Sequence, residues 1–459
     1  MDDPSLWHRL QFAFTIVYHY LFPQLTMGLA LHLVLWKWRA YRHGDAASVE
    51  AARFWARIFG VNFAFGVVTG VPMEFQFGTN WARFSNYAGG VIGQTLALEG
   101  MFAFFLESML VAGLVWGEKR LGPRAHFWVT VGVFLGSWLS GYFIVTTNAF
   151  MQYPVGYALD AQGRLVLADA LSFLLSRWAV VEYAHTILAA VVTGSFVVAA
   201  VGAYYLLRGV HRTAAERFVK SGVQVGLIAA FLVAFPTGDR QAKLVAEFQP
   251  VTLAAMEGRF ESGPHAPLTF IGQPNVRDRR IDNAIEAPAV LSILAYGTPQ
   301  RSVFGLEAFP TDQWPTNIEL LYYSFHVMAG LGTLFIALLA LANFALFRRQ
   351  LFTSKALLWC LMLAFPFPYI ATTAGWMTAE LGRQPWLVFG LFRTLAGTSE
   401  SVSSGNALFT LIGFTGLYFV LGVLFVFLVG REVAHGPGAP APESYGEHPP
   451  AGEAGGAHG

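Results

Sequence analysis

Apolar residues in this chain run in long unbroken blocks, without the alternation of a half-buried strand or the narrow stripe of an amphipathic surface helix. The blocks near 12–36, 58–77, 94–116, 126–147, 180–207, 219–237, 318–347, 357–377 and 407–429 are each long enough to cross a hydrocarbon core of roughly 30 Å as a helix. The predicted fold class is therefore all-α, a polytopic membrane protein with about nine transmembrane helices. Two blocks are weak: 58–77 is interrupted by Pro72 and Glu74, and 219–237 is short. One long polar segment, 238–317, rich in Pro, Gly, Arg, Asp and Glu, separates helices 1–6 (residues 1–237) from helices 7–9 (318–431). Loops of this length generally bind substrate or act as lids. The end of the chain, 432–459, is rich in Gly, Pro, Ala and His and is predicted to be a disordered tail.

Composition sharpens this picture. With 55% hydrophobic and 12% charged residues and a mean hydropathy of +0.49, an ordinary soluble domain is excluded. A net charge of +1 with scattered basic residues excludes a nucleic-acid footprint. The single cysteine, Cys360, removes disulfides, iron–sulfur clusters and covalent c-type haem attachment, so any redox metal is held by His, Met or carboxylate. The N-terminus lacks the basic region and small-residue site of a cleaved signal peptide. Sixteen Lys and Arg follow the odd-numbered spans, against six in the short segments on the other side. By the positive-inside rule the N-terminus is outside and the C-terminus cytoplasmic.

Ionisable and ligating groups inside these blocks carry the candidate chemistry. His19, His32, His185 and His326 lie within predicted spans. His19 and His32, thirteen positions apart, face different sides of one helix and cannot share a cofactor. Glu99 and Glu107 are eight residues apart, about 12 Å along the axis, which suits two depths of a proton path. Ser140, Thr146, Thr147 and Asn148 add polar groups to the fourth span. His326 and Met328 point about 200° apart, so only one faces a given cofactor. A histidine on one helix with a methionine on another suits a six-coordinate haem. In Gly-Trp-Met-Thr-Ala-Glu-Leu-Gly-Arg-Gln-Pro-Trp (375–386), Glu380 and Arg383 stand where an apolar run meets a turn. An acid at a membrane edge needs a partner, whether Arg383, a proton path or a metal.

That stretch, with the surroundings of His19, the run 98–108 and Gln-Pro-Val-Thr-Leu-Ala-Ala-Met-Glu-Gly at 249–258, resembles subunit I of the cytochrome bd-type quinol oxidases. The likeness covers most of residues 5–410. It implies that His185 and Met328 ligate a low-spin haem b, and that His19 and Glu380 are axial ligands of two high-spin haems, one haem b and the other haem d or a further haem b. Glu99 would lie beside these, Glu107 and Ser140 in a cytoplasmic proton path, and Glu257 at the quinol site of the 238–317 loop. Glu99, Glu107, Ser140 and Glu257 are thus the expected catalytic residues, with Arg383 completing the cofactor site. The resemblance further implies a bacterial cytoplasmic-membrane enzyme that oxidises quinol and reduces O₂ to water without proton pumping. It implies a homologous second large subunit and leaves open a small single-span one.

Three departures, Thr252 where many members have Lys, His326 where many have Arg, and a short loop, are similar to the cyanide-insensitive branch. A lysine at 252 would be expected to pair with Glu257, five residues on. From the residues alone, a cofactor-free proton-coupled transporter is the alternative. A haem–copper oxidase would need more clustered histidines and ranks last.

Overall fold

The computed structural model describes residues 4–438; the tail from 439 onward lies outside the described residues. The chain opens with α1 (Pro4–His43), α2 (Ala46–Thr79) and α3 (Ala82–Leu98). A π turn at Glu99–Phe104 leads into α4 (Phe105–Trp116), followed by α5 (Glu118–Gln152). A small hairpin, β1 (Tyr157–Leu159) with β2 (Leu165–Leu167), and α6 (Ala170–Leu174) precede α7 (Arg177–Arg208) and α8 (Arg212–Leu232). A second π turn, Val233–Gly238, joins α8 to α9 (Asp239–Phe248).

The outer segment then forms α10 (Pro250–Met256), an antiparallel hairpin of β3 (Leu268–Asn275) and β4 (Arg280–Ala287), and α11 (Val290–Tyr296). The last part holds α12 (Ile318–Phe347), α13 (Lys355–Leu363), α14 (Phe367–Arg383), the short pair β5 (Trp386–Val388) and β6 (Phe392–Arg393), and α15 (Ser404–His435).

Eight helical segments among the described residues are long and apolar enough to cross a membrane. α1, whose apolar run is diluted by His19, Gln24 and His32, is not among them, so the count is close to the about nine expected. Pro72 does not break α2, because neighbouring groups in a bundle compensate the lost hydrogen bond. The block expected at 219–237 is one part of a helical rod running from Arg212 through the π turn to Phe248, so regular structure extends eleven residues, 238–248, into the segment assigned to the loop.

α7 is the most enclosed span and α15 the most open. α1 crosses α7 where Gly28 meets Gly194; a Cβ on Gly28 would lie 2.2 Å from the Ala190 carbonyl oxygen, so only glycine allows this approach. Nearby, Gln24 Nε2 donates to Thr193 of α7 at 2.5 Å and Thr372 of α14 at 2.8 Å, fixing three helices together. At the end the charge count assigns to the cytoplasm, Lys37 and Arg53 both reach Glu118, Arg57 reaches Glu432 and Arg217 reaches Asp45. These pairs join the ends of α1, α2, α5, α8 and α15.

Candidate functional site

The four intramembrane histidines separate by what their ring nitrogens touch. His19 Nδ1 is 3.1 Å from Thr69 Oγ1 on α2, and that hydroxyl gives its single proton to the Phe65 carbonyl at 2.8 Å. The hydroxyl must therefore accept from Nδ1–H, which leaves the Nε2 lone pair free for a metal. His185 repeats the arrangement. Its Nδ1 is 3.2 Å from Thr237 Oγ1 in the second π turn, and Thr237 donates to Leu232 at 3.0 Å. π turns displace backbone in this way at functional sites. His32, in contrast, is sealed between Ser221 at Nδ1 and Ser195 at Nε2, both at 3.0 Å. It holds α1 to α7 and α8, and offers no free lone pair.

His326 is also engaged at both nitrogens, with the Tyr322 carbonyl at 2.8 Å and the Thr269 carbonyl of β3 at 2.9 Å. It anchors the outer hairpin to α12. Met328, on the opposite side of the helix as the two-residue spacing requires, packs on α14 at Gly375. A Cβ there would sit 2.8 Å from the sulfur, so glycine gives the thioether room.

Glu380 lies near the end of α14. Its Oε2 accepts from Arg383 Nη2 and its Oε1 from Asn148 Nδ2 of α5 at 2.7 Å. Arg383 is 2% exposed, and its Nε and Nη1 are buried without partners. The orphaned edge has room for a further anionic partner. No group of three or more His, Cys, Asp or Glu side chains converges among the described residues. The donors instead stand singly: two imidazoles, a thioether and a carboxylate, as axial ligands of haem do. The residues present fit that group.

Glu99 and Glu107 both face α5. Ser140 Oγ donates to Glu99 Oε1 at 2.8 Å, while Glu107, 5% exposed, packs on Gly136 beside Ser137. Ser137 and Ser140 share one side of α5. The first π turn begins at Glu99 and widens the helix between the two acids, so both reach that side.

Outside the bundle, α10 is tied to the same region. Gln249 Nε2 donates to the Gln152 carbonyl at 2.7 Å, and Gln152 Nε2 to the Ala379 carbonyl at 3.1 Å. Thr252 Oγ1 donates to the Gly382 carbonyl at 2.8 Å. Glu257, at the other end of α10, is 4% exposed with Oε2 unpaired, and burial pushes its carboxyl up to about 8.

The expectation that a cation at 252 would pair with Glu257 is corrected here. The two positions are about 140° apart around the helix, and Thr252 is buried against α14, where a Cβ on Gly382 would come within 2.4 Å of its methyl. Thr252→Lys is therefore expected to overpack the contact and cost about 1–3 kcal/mol. Melting temperature and quinol oxidation should fall, with Thr252→Ser near wild type. A Lys variant with normal stability and an acid limb moved to lower pH would instead support pairing with Glu257.

Sequence reading passed over Glu182, Gln152, Thr237 and the two glycines that make room, Gly70 at His19 and Gly375 at Met328. Only Glu182 carried a signal, as an acid within a predicted span.

The chain matches the family model of cytochrome bd terminal oxidase subunit I over residues 7–437. It is 35% identical to cytochrome bd ubiquinol oxidase subunit 1 of Bacillus subtilis (strain 168), with 93% of each chain covered. It is 32% identical to cytochrome bd-II ubiquinol oxidase subunit 1 of Escherichia coli (strain K12), covering 95% of this chain and 97% of that one. Among solved structures it resembles the bd oxidase from Geobacillus thermodenitrificans, with TM-score 0.89, 31% identity, and 95% and 100% of the two chains covered. These matches do not favour a cofactor-free transporter.

Proposed function

The chain belongs to the cytochrome bd terminal oxidase subunit I family, a terminal respiratory oxidase family, and on that premise we propose that it oxidises membrane quinol at its outer segment and supports O₂ reduction with protons taken from the cytoplasm. The observation that carries this reading is the shared Nδ1–H to threonine geometry of His19 and His185, which keeps an Nε2 lone pair available in each. His185 with Met328 would hold a low-spin haem b. His19 and Glu380 would each hold a high-spin haem, one haem b and one haem d or b. When bound, haem supplies one-electron transfer and the iron at which O₂ is reduced.

The protein's own groups do the rest. Glu257 accepts a hydroxyl proton of quinol, while Gln249 and Thr252 hold α10 against the bundle. Arg383 fixes Glu380. Glu107 holds a proton at one depth, and Ser140 with Glu99 receives it nearer the outer side. Because quinol protons leave outside and the consumed protons enter from the cytoplasm, turnover moves charge across the membrane without pumping. The N-terminus lies outside and the C-terminus in the cytoplasm of a bacterial inner membrane, with a homologous second large subunit as partner.

Glu107→Gln is expected to slow turnover about ten-fold or more with haem spectra intact, since a proton carrier and no ligand is lost. Glu99→Gln should disturb the high-spin spectra as well. Identical phenotypes would argue against a path from one to the other. The overall reading is tested by a pyridine haemochrome and a reduced-minus-oxidised spectrum of the purified complex, together with quinol-dependent O₂ uptake. Three haems and uptake are expected; a colourless, inactive complex would overturn it.

A further inference from the structure

Arg383 presents a problem of charge. A guanidinium is not deprotonated in a protein, and this one is buried, with Glu380 as its hydrogen-bonded partner. If Glu380 gives an oxygen to a metal, as proposed above, the carboxylate's charge is shared and its hold on Arg383 weakens. A buried cation left in that state is strongly unfavourable.

A second buried carboxylate, on α7, lies within electrostatic reach of the pair. Glu182, on the second turn of α7, is 7% exposed, and neither of its oxygens has a hydrogen-bond partner. It is attracted by Arg383 and repelled by Glu380. The indole N–H of Trp178, one turn earlier, faces this carboxyl without a well-formed hydrogen bond. Glu182 lies three residues before His185, on the same side of α7. Arg383 thus has Nη2 committed to Glu380, while its buried Nε and Nη1 are unpartnered, and Glu182 is a buried acid with no well-formed hydrogen bond of its own.

We propose that Glu182 is the second counter-ion of Arg383, taking up the guanidinium's free edge when Glu380 commits its carboxylate to iron, and is thereby a positioning residue for the high-spin cofactor at Glu380. The inference rests on Glu380 as a ligand. Geometry favours an exchange over a permanent pair, because the two carboxylates would repel each other across one guanidinium unless one of them also binds a cation. The metal would supply that cation.

The test uses the purified oxidase complex. Glu182→Gln keeps the size of the side chain and removes its charge. It should lose more than half of one high-spin haem per complex by pyridine haemochrome, with the low-spin band of the His185–Met328 site retained, and Glu182→Asp should recover part of the loss. A full haem complement with unchanged high-spin bands and midpoint potentials in Glu182→Gln would overturn the proposal, as would selective loss of the low-spin band.

If Glu182→Gln fails to assemble, the double variant Glu182→Gln/Arg383→Gln, which removes both charges together, should assemble better than either single variant; no recovery would also overturn it. Glu380→Gln separates the two readings. Retention of every haem in that variant removes the ligand reading and this inference with it, whereas loss in Glu380→Gln beside an indifferent Glu182→Gln removes the inference alone.

Discussion

His185→Ala is expected to abolish the low-spin haem spectrum and, with it, quinol-driven O₂ uptake, while leaving the helical bundle assembled. The ring is held from behind by Thr237, whose hydroxyl is already committed to backbone carbonyls, so the imidazole is oriented as a ligand before any metal arrives. Alanine removes the ligand together with that orientation. Met328→Leu roughly conserves volume and still fits over Gly375, so the protein should fold with a five-coordinate or labile haem. Thr237→Val leaves both ligands but removes the hydroxyl that fixes the tautomer, and losses of such supporting bonds cost about 10–100-fold in metal affinity. A graded series in haem content and low-spin absorbance, Ala below Leu and Val, is the expected result. An unchanged low-spin spectrum in both His185→Ala and Met328→Leu would show that the electron-entry haem sits elsewhere.

Glu257→Gln is the second large effect. Quinol oxidation should fall by at least about ten-fold, as for loss of a general base, while oxidation of an artificial donor that bypasses the loop is spared. Burial pushes this carboxyl up to about 8 from an ordinary 4.5, and a base must be deprotonated to act. The wild-type rate should therefore rise as pH increases toward about 8, and the limb should vanish in Glu257→Gln. Stability moves the other way. Below pH 4.5 the carboxyl is protonated in both folded and unfolded chains; above it the unfolded chain releases a proton that the folded chain keeps until about pH 8. The fold thus loses stability as pH rises through that window, and Glu257→Gln should lessen the loss. Near-normal quinol oxidation with an unchanged acid limb in Glu257→Gln would place the quinol chemistry elsewhere.

The glutamates of the proposed proton path show how far spacing reaches. Eight residues on a regular helix place Glu99 and Glu107 at two depths, and the structure keeps them so, with each facing α5. The π turn between them left no mark in the residue pattern, because a widened turn depends on the neighbours that accept it. Likewise, the continuity of α2 through Pro72 and of the rod from Arg212 to Phe248 reflects packing that a run of letters does not contain.

By itself the sequence determined the membrane class, a count of spans close to that of the structure, and the family, because apolar length and ordered motifs act locally and survive any packing. It also drew attention to His19, His185 and Glu380, since ionisable groups in apolar spans are costly unless used, whereas Met328 entered only through the family resemblance. Only the tertiary structure decided which histidines are ligand-ready. His32 and His326 are as buried in the sequence pattern as His19 and His185, but serines of two other helices hold both nitrogens of His32, and a carbonyl of the hairpin with one from a turn earlier on α12 holds those of His326. Thr252, expected beside Glu257, was placed in the same way at the clamp on Gly382. The partners of a buried polar group come from other helices, and which helix supplies them is set by how the bundle packs.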